Sequence, residues 1–81
     1  MIPIVDPLKW LEEIILNELD AIIDDRSVVR GVTRTPAQKQ AGREAMRKRV
    51  APLLTNETVA HELMEMGELH VRAAVRRMYS N

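Results

Sequence analysis

Apolar residues recur at helical spacing through the first quarter of the chain. Ten of the sixteen residues from 8 to 23 are apolar, and five of these fall at intervals of three and four, the pattern of a helix with one buried face. Asp6 followed by Pro7 is typical of an N-cap and a first helical residue. The pattern predicts a helix over about residues 7–24 with a wide apolar face, and its core-facing stripe is Leu8, Leu11, Ile15, Leu19 and Ile22. Leu16 and Ile23 fall nearly outside this stripe.

A second helix is predicted from a local capping signal. In Thr35-Pro36-Ala37-Gln38, the Thr35 side chain can accept from the Gln38 backbone, and Gln38 can return the bond. Pro52 ends this helix at about residue 51, so it spans about residues 36–51 with a thin apolar face. Residues 26–35 before it are the one stretch with β-leaning composition, and we expect them to form an extended connector.

Small and apolar residues alternate at intervals of four and three through the last part of the chain. This heptad spacing predicts one continuous helix over about residues 56–79, capped by Thr55. Gly67 leaves a second possibility, a break that makes four helices in all. On the continuous helix the spacing predicts a self-association seam, formed by Ala60, Met64, Gly67, Val71, Ala74 and Met78.

Length and composition predict a small all-α domain. The chain has 81 residues, 46% of them apolar, with one Trp, one Tyr and no Phe. A single aliphatic core of this size stabilises a fold by only about 3–5 kcal/mol. We therefore expect a three-helix domain that forms a helical homodimer, in which a second subunit completes the core.

Composition also excludes several kinds of chemistry. The chain has no Cys, which excludes disulfides and thiolate sites, and its apolar runs are too short for a membrane span. Ser27 and Ser80 lie in no nucleophile motif, and His61, Glu65 and His70 do not form a metal-ligand set. The first residues lack the features of a secretory signal. We expect a cytoplasmic, non-enzymatic protein without metal, cofactor or small-molecule substrate.

Charge is segregated along the chain although its formal net value is zero. Residues 1–25 carry seven acidic groups against one Lys, and residues 26–49 carry eight basic groups against one Glu. Two interpretations are open: the blocks pair within the chain, or the basic block contacts a nucleic acid or an acidic protein. The candidate contact residues are Lys39, Arg43, Arg47, Lys48, Arg49, Arg72, Arg76 and Arg77.

A family resemblance is carried by residues 54–63 and 71–79. The first segment holds a Thr-Asn pair, then Val59-Ala60 and a later Leu, and the second is rich in Val and Arg. This arrangement resembles the helix-turn-helix of LuxR-type regulators, although its turn is one residue longer and contains Met64-Glu65-Met66-Gly67. The resemblance implies that Arg72, Arg76 and Arg77 face phosphates or base edges in the DNA major groove.

These patterns favour a non-enzymatic, protein-binding function. We expect a small adaptor or inhibitor, of the type found among bacterial or viral accessory proteins, that occupies a surface of a larger partner. A DNA-binding transcriptional regulator is the alternative. The two differ in their response to salt, because each neutralised phosphate adds to the salt dependence of binding.

Overall fold

The computed structural model describes residues 6–79, which form four helices. These are α1 (Pro7–Val29), α2 (Pro36–Val50), α3 (Glu57–Met66) and α4 (Glu68–Tyr79), with a 3-10 turn over Ala51–Leu53 between α2 and α3. Within residues 6–79 there is no strand, which confirms the all-α class, and no helix is long and apolar enough to cross a membrane. The first five residues and Ser80, considered above, lie outside the described residues.

Both local capping predictions are confirmed. The Asp6 carboxylate accepts from the Leu8 backbone N–H at 3.0 Å and starts α1. Thr35 and Gln38 exchange side-chain-to-backbone bonds of 3.2 and 2.9 Å, the reciprocal capping box expected at the start of α2. Both helix starts depend only on residues that are close in sequence, so local sequence is enough to predict them.

The end of α1 differs from the prediction. The helix continues to Val29 and closes at Gly31, whose φ is +73°. The Val32 N–H bonds to the Ser27 carbonyl at 2.8 Å and the Gly31 N–H to the Val28 carbonyl at 3.0 Å, a Schellman motif. The prediction of an extended connector over residues 26–35 is therefore wrong for its first half. The β propensity of Val28 and Val29 is outweighed by continuation of the helix.

The continuous helix over residues 56–79 is also wrong, and the four-helix alternative is confirmed. Gly67 has φ +99° and ψ 159°, which ends α3 and starts α4. Its N–H still bonds to the carbonyls of Leu63 and Met64 at 3.1 and 3.2 Å. Asn56, rather than Thr55, caps α3 by accepting from the Val59 N–H at 3.1 Å. The break turns two short helices so that each packs against α1.

The main core lies between α1, α3 and α4. Its buried members are Leu11, Ile14, Ala60, Val71 and Val75. Leu16 is fully buried, although the helical spacing puts it nearly outside the predicted core-facing stripe of α1. Leu16 is one turn from Glu12 and from Asp20, both of which pair with α2, so it lies on the side of α1 that α2 covers. The wide apolar face of α1 is thus contacted on two sides, as its pattern predicts.

Candidate functional site

Ion pairs between α1 and the basic block hold α2 in place. The pairs run in antiparallel order: Arg34 with Asp24 at 2.7 Å, Arg43 with Glu13 at 2.6 Å and Arg47 with Glu12 at 3.0 Å. No residue of α2 itself is buried within the described part of the chain. The interpretation that the acidic and basic blocks pair within the chain is therefore confirmed.

Arg34 is the least exposed arginine of this network. Its guanidinium donates twice to one Asp24 oxygen, at 2.7 and 3.0 Å, and it also approaches an Asp20 oxygen at 3.5 Å. The hydrogen bond from Arg34 and the positive charges of Arg34 and Lys39 lower the pKa of Asp24, and the same pair raises the pKa of Arg34. Lys39 lies farther from Asp24, at 3.8 Å.

Acid is expected to weaken this attachment. Because the folded-state pKa of Asp24 is below its ordinary value of 3.8, the stability that it contributes is complete above that value and lost as the pH falls through the lower folded value. Asp24→Asn should therefore be less stable than the wild type at neutral pH, and the difference should shrink as the pH falls below 3.8. Urea unfolding over a pH series measures this difference, and a gap that does not change with pH would contradict the assignment.

Gly42 in the middle of α2 offers a stabilising substitution. A Cβ at this position meets only the Arg34 Nη1 atom at 3.4 Å, the end of a flexible side chain. Gly42→Ala is expected to raise the free energy of unfolding by up to about 1 kcal/mol, because alanine favours a helix interior over glycine. Thermal unfolding measures this change. A melting temperature below that of the wild type would mean that the Arg34 guanidinium cannot move aside for the added methyl group.

Two arginines of α4 are turned toward a buried carboxylate on α1. Glu18, whose side chain is 7% exposed, pairs with the Arg76 Nε at 2.6 Å and lies 4.0 Å from the Arg72 Nη1. Glu18 raises the pKa of Arg76, which also contacts Asp25 at 3.4 Å. Arg72 is further held by Glu68 at 2.8 Å. These two candidates for nucleic-acid contact are thus paired within the chain.

Sequence reasoning did not single out Glu18. The sequence does indicate that Glu18 is buried, because it lies four residues after Ile14 and four before Ile22, on the same face of α1. A carboxylate at such a position needs a partner when it is buried. The basic residues of the last helix were the available partners.

The eight basic candidates therefore divide into two groups. Lys39, Arg43, Arg47, Arg72 and Arg76 pair with carboxylates of the chain. Lys48, Arg49 and Arg77 are exposed and make no ion pair among residues 6–79. Of the eight candidates, these three are the ones left unpaired within the part of the chain that the structure describes.

The six residues of the predicted seam lie on both sides of the helix break. Ala60 and Val71 are buried in the core of the chain itself. Met64, Gly67 and Ala74 are partly buried, and Met78 is exposed. Because Gly67 interrupts the helix, the six do not form one straight stripe.

An apolar cavity of about 250 Å³ opens between α1, α2 and the end of α4. Its floor is buried or partly buried, and its edge is formed by three exposed side chains. Leu19, Ile22, Ile23, Met46 and Val50 form the floor, and Arg26, Arg49 and Tyr79 form the edge. We call this the α1–α2–α4 cavity. Arg26 also donates to the Tyr79 carbonyl, which ties the end of α4 to α1.

The lining of this cavity is apolar with a basic edge. It contains no carboxylate, imidazole or serine hydroxyl among the described residues, so it lacks a nucleophile paired with a base. Within residues 6–79, no three His, Asp or Glu side chains are grouped to hold a metal ion.

Comparison of the chain with protein-family models, with curated proteins and with solved structures finds no match.

Proposed function

We propose that this chain is a non-enzymatic, protein-binding module of the adaptor or inhibitor type, and that the α1–α2–α4 cavity is its contact surface. The observation that supports this most is the cavity itself: an apolar floor edged by two guanidinium groups and one phenol. Such a combination of an apolar centre and Arg and Tyr at the edge is typical of protein contact sites.

The cavity is smaller than the usual site for a drug-sized ligand. Sites for drug-sized ligands have volumes of about 300–1,000 Å³, whereas an apolar cavity of about 150 Å³ already holds benzene. A volume of about 250 Å³ lies between the two. It suits one large apolar side chain projecting from a partner's surface.

DNA binding has less support from the positions of the arginines. Arg72 and Arg76 would have to leave Glu18, a buried carboxylate, to reach a phosphate, and an unpaired buried charge is costly. Gly67 alone separates α3 from α4, which is shorter than the three- or four-residue turn of helix-turn-helix motifs. Of the three arginines that the LuxR-type resemblance places in the groove, Arg77 alone makes no ion pair with another described residue.

The homodimer expected from the small core is part of the proposal. Met66 and Leu69 are 61% and 82% exposed. Met66 and Leu69 lie on either side of Gly67, so each helix carries a large exposed apolar side chain near the α3–α4 junction. A second copy of the chain would remove them from water.

A capture experiment with matched variants tests the protein-binding function. The tagged chain is exposed to lysate from its native host, with and without nuclease, and compared with Val50→Glu inside the cavity and Val59→Glu outside it. We expect a protein to be retained after nuclease treatment by the wild type and by Val59→Glu, and to be lost from Val50→Glu. Retention that disappears with nuclease would replace the proposal with nucleic-acid binding. Equal retention by both variants would remove the cavity from it.

A further inference from the structure

We infer that the α1–α2–α4 cavity accepts Leu69 from a second copy of this chain, with the carboxylates beside Leu69 meeting Arg49 and Arg26 at the cavity's edge. This inference rests on the self-association included in the proposed function and names the two surfaces that meet. It also gives the cavity an occupant in the absence of another partner, so that a partner protein would have to displace the second copy.

The cavity is positively charged at its edge. Arg49 is exposed, makes no ion pair among residues 6–79 and lies in the last turn of α2 together with Arg47 and Lys48. Arg26 uses one nitrogen on the Tyr79 carbonyl and leaves other donors of its fork. No carboxylate lines the cavity among residues 6–79, so these two groups favour an anionic neighbour, and guanidinium binds carboxylate through paired hydrogen bonds.

The complementary surface lies at the junction of α3 and α4. Leu69 is 82% exposed, the highest exposure of any large apolar side chain on these two helices. Exposed acidic residues surround it in sequence. We call this the junction patch, and it consists of Glu62, Glu65, Met66, Glu68 and Leu69.

The carboxylates of the junction patch are only partly engaged within the chain. Glu62 makes no ion pair among the described residues, and Glu65 lies 3.6 Å from His61, which attracts it only when the imidazole is protonated. Glu68 pairs with Arg72 through one of its oxygens. By contrast, Glu12, Glu13, Asp20 and Asp24 on α1 are all held by the basic block. The junction patch therefore combines an exposed apolar side chain with available negative charge.

The two surfaces lie on different parts of the same chain, which makes the contact testable by complementation. If each copy inserts Leu69 into the other, a closed dimer forms; if not, the copies link head to tail. Either assembly needs one intact cavity and one intact junction patch at every contact. A chain defective only in the cavity should therefore still bind a chain defective only in the patch.

Sedimentation velocity over a concentration series provides the test. We compare the wild type with Arg49→Glu and Leu69→Glu, and use Arg77→Glu and Val32→Glu as matched controls at exposed positions outside both surfaces. Circular dichroism shows which variants keep the helical fold. We expect wild type and controls to associate, each defective variant to associate about tenfold more weakly or not at all, and an equimolar mixture of the two defective variants to form a 1:1 complex.

Three results would overturn the inference, and they are distinguishable. A wild-type chain that stays monomeric at every concentration removes the homodimer from the proposed function as well. Association that neither substitution weakens leaves the homodimer standing and shows that it uses other residues. Failure of the two folded, defective variants to associate with each other shows that the cavity and the junction patch do not meet.

Discussion

Replacing Leu16 by alanine is expected to lower the free energy of unfolding by about 2–5 kcal/mol. Leu16 is fully buried and is the largest side chain in the described part of the chain with that degree of burial. The substitution removes its apolar contacts and leaves a cavity that the surrounding helices fill incompletely. Because a chain of this size has about 3–5 kcal/mol to lose, we expect the variant to be largely unfolded at room temperature.

Urea unfolding followed by circular dichroism measures the effect of Leu16→Ala. Leu53→Ala provides the control, since Leu53 is 79% exposed and its truncation should change the stability by no more than about 0.5 kcal/mol. If both variants unfold at the wild-type urea concentration, Leu16 is not packed between α1 and α2 as described.

Replacing Gly67 by alanine should have the second-largest effect, a loss of about 1–3 kcal/mol. The backbone at Gly67, with φ +99° and ψ 159°, lies in a region that L-residues with a Cβ rarely adopt. A Cβ there meets no atom within 4 Å, so the expected loss comes from backbone strain alone. Alanine at position 67 can relieve this strain by adopting helical backbone angles, which would fuse α3 and α4 into one helix. Such a fusion would pull Ala60 or Val71 from the core.

Gly31→Ala is the natural comparison for Gly67→Ala. Gly31 has φ +73°, also without neighbours within 4 Å, but this left-handed region is open to other residues at a cost of about 1–2 kcal/mol. We expect Gly31→Ala to be the milder of the two in thermal unfolding. A Gly67→Ala variant as stable as the wild type would show that α3 and α4 tolerate a continuous helix, as the heptad spacing alone predicts.

Local chemistry explains which parts of the fold could be predicted from the sequence. The starts of α1 and α2 depend on Asp6-Pro7 and on the Thr35–Gln38 capping box, where all partners are within three residues. The break at Gly67 could not be decided in the same way. A heptad pattern fits both a straight helix and two helices that pack on α1, and only the buried face of α1 selects between them.

The cavity could not be predicted because its parts come from distant segments. Ile23, Met46 and Tyr79 belong to three helices, and the sequence carries no motif that joins them.

The pairing of the basic block could not be predicted from the sequence either. Its charge indicated either internal pairing or an external contact, and the choice depended on the antiparallel alignment of α2 with α1, which places Arg43 and Arg47 beside Glu13 and Glu12.

The measurement that tests protein binding at the cavity most directly uses the single tyrosine. Tyr79 is the only Tyr of the chain and lies at the cavity's edge, so incorporation of 3-fluorotyrosine gives one ¹⁹F resonance that reports on this site. Trp10, the only Trp, packs against the core cluster and serves as an internal control when labelled with 5-fluorotryptophan.

We predict that the Tyr79 resonance shifts when the captured partner protein is added, while the Trp10 resonance stays in place. Duplex DNA should leave Tyr79 unchanged, and Val50→Glu should abolish the shift caused by the partner. A Tyr79 resonance that is insensitive to the partner protein would contradict the account, and one that moves only with DNA would assign this surface to nucleic acid instead.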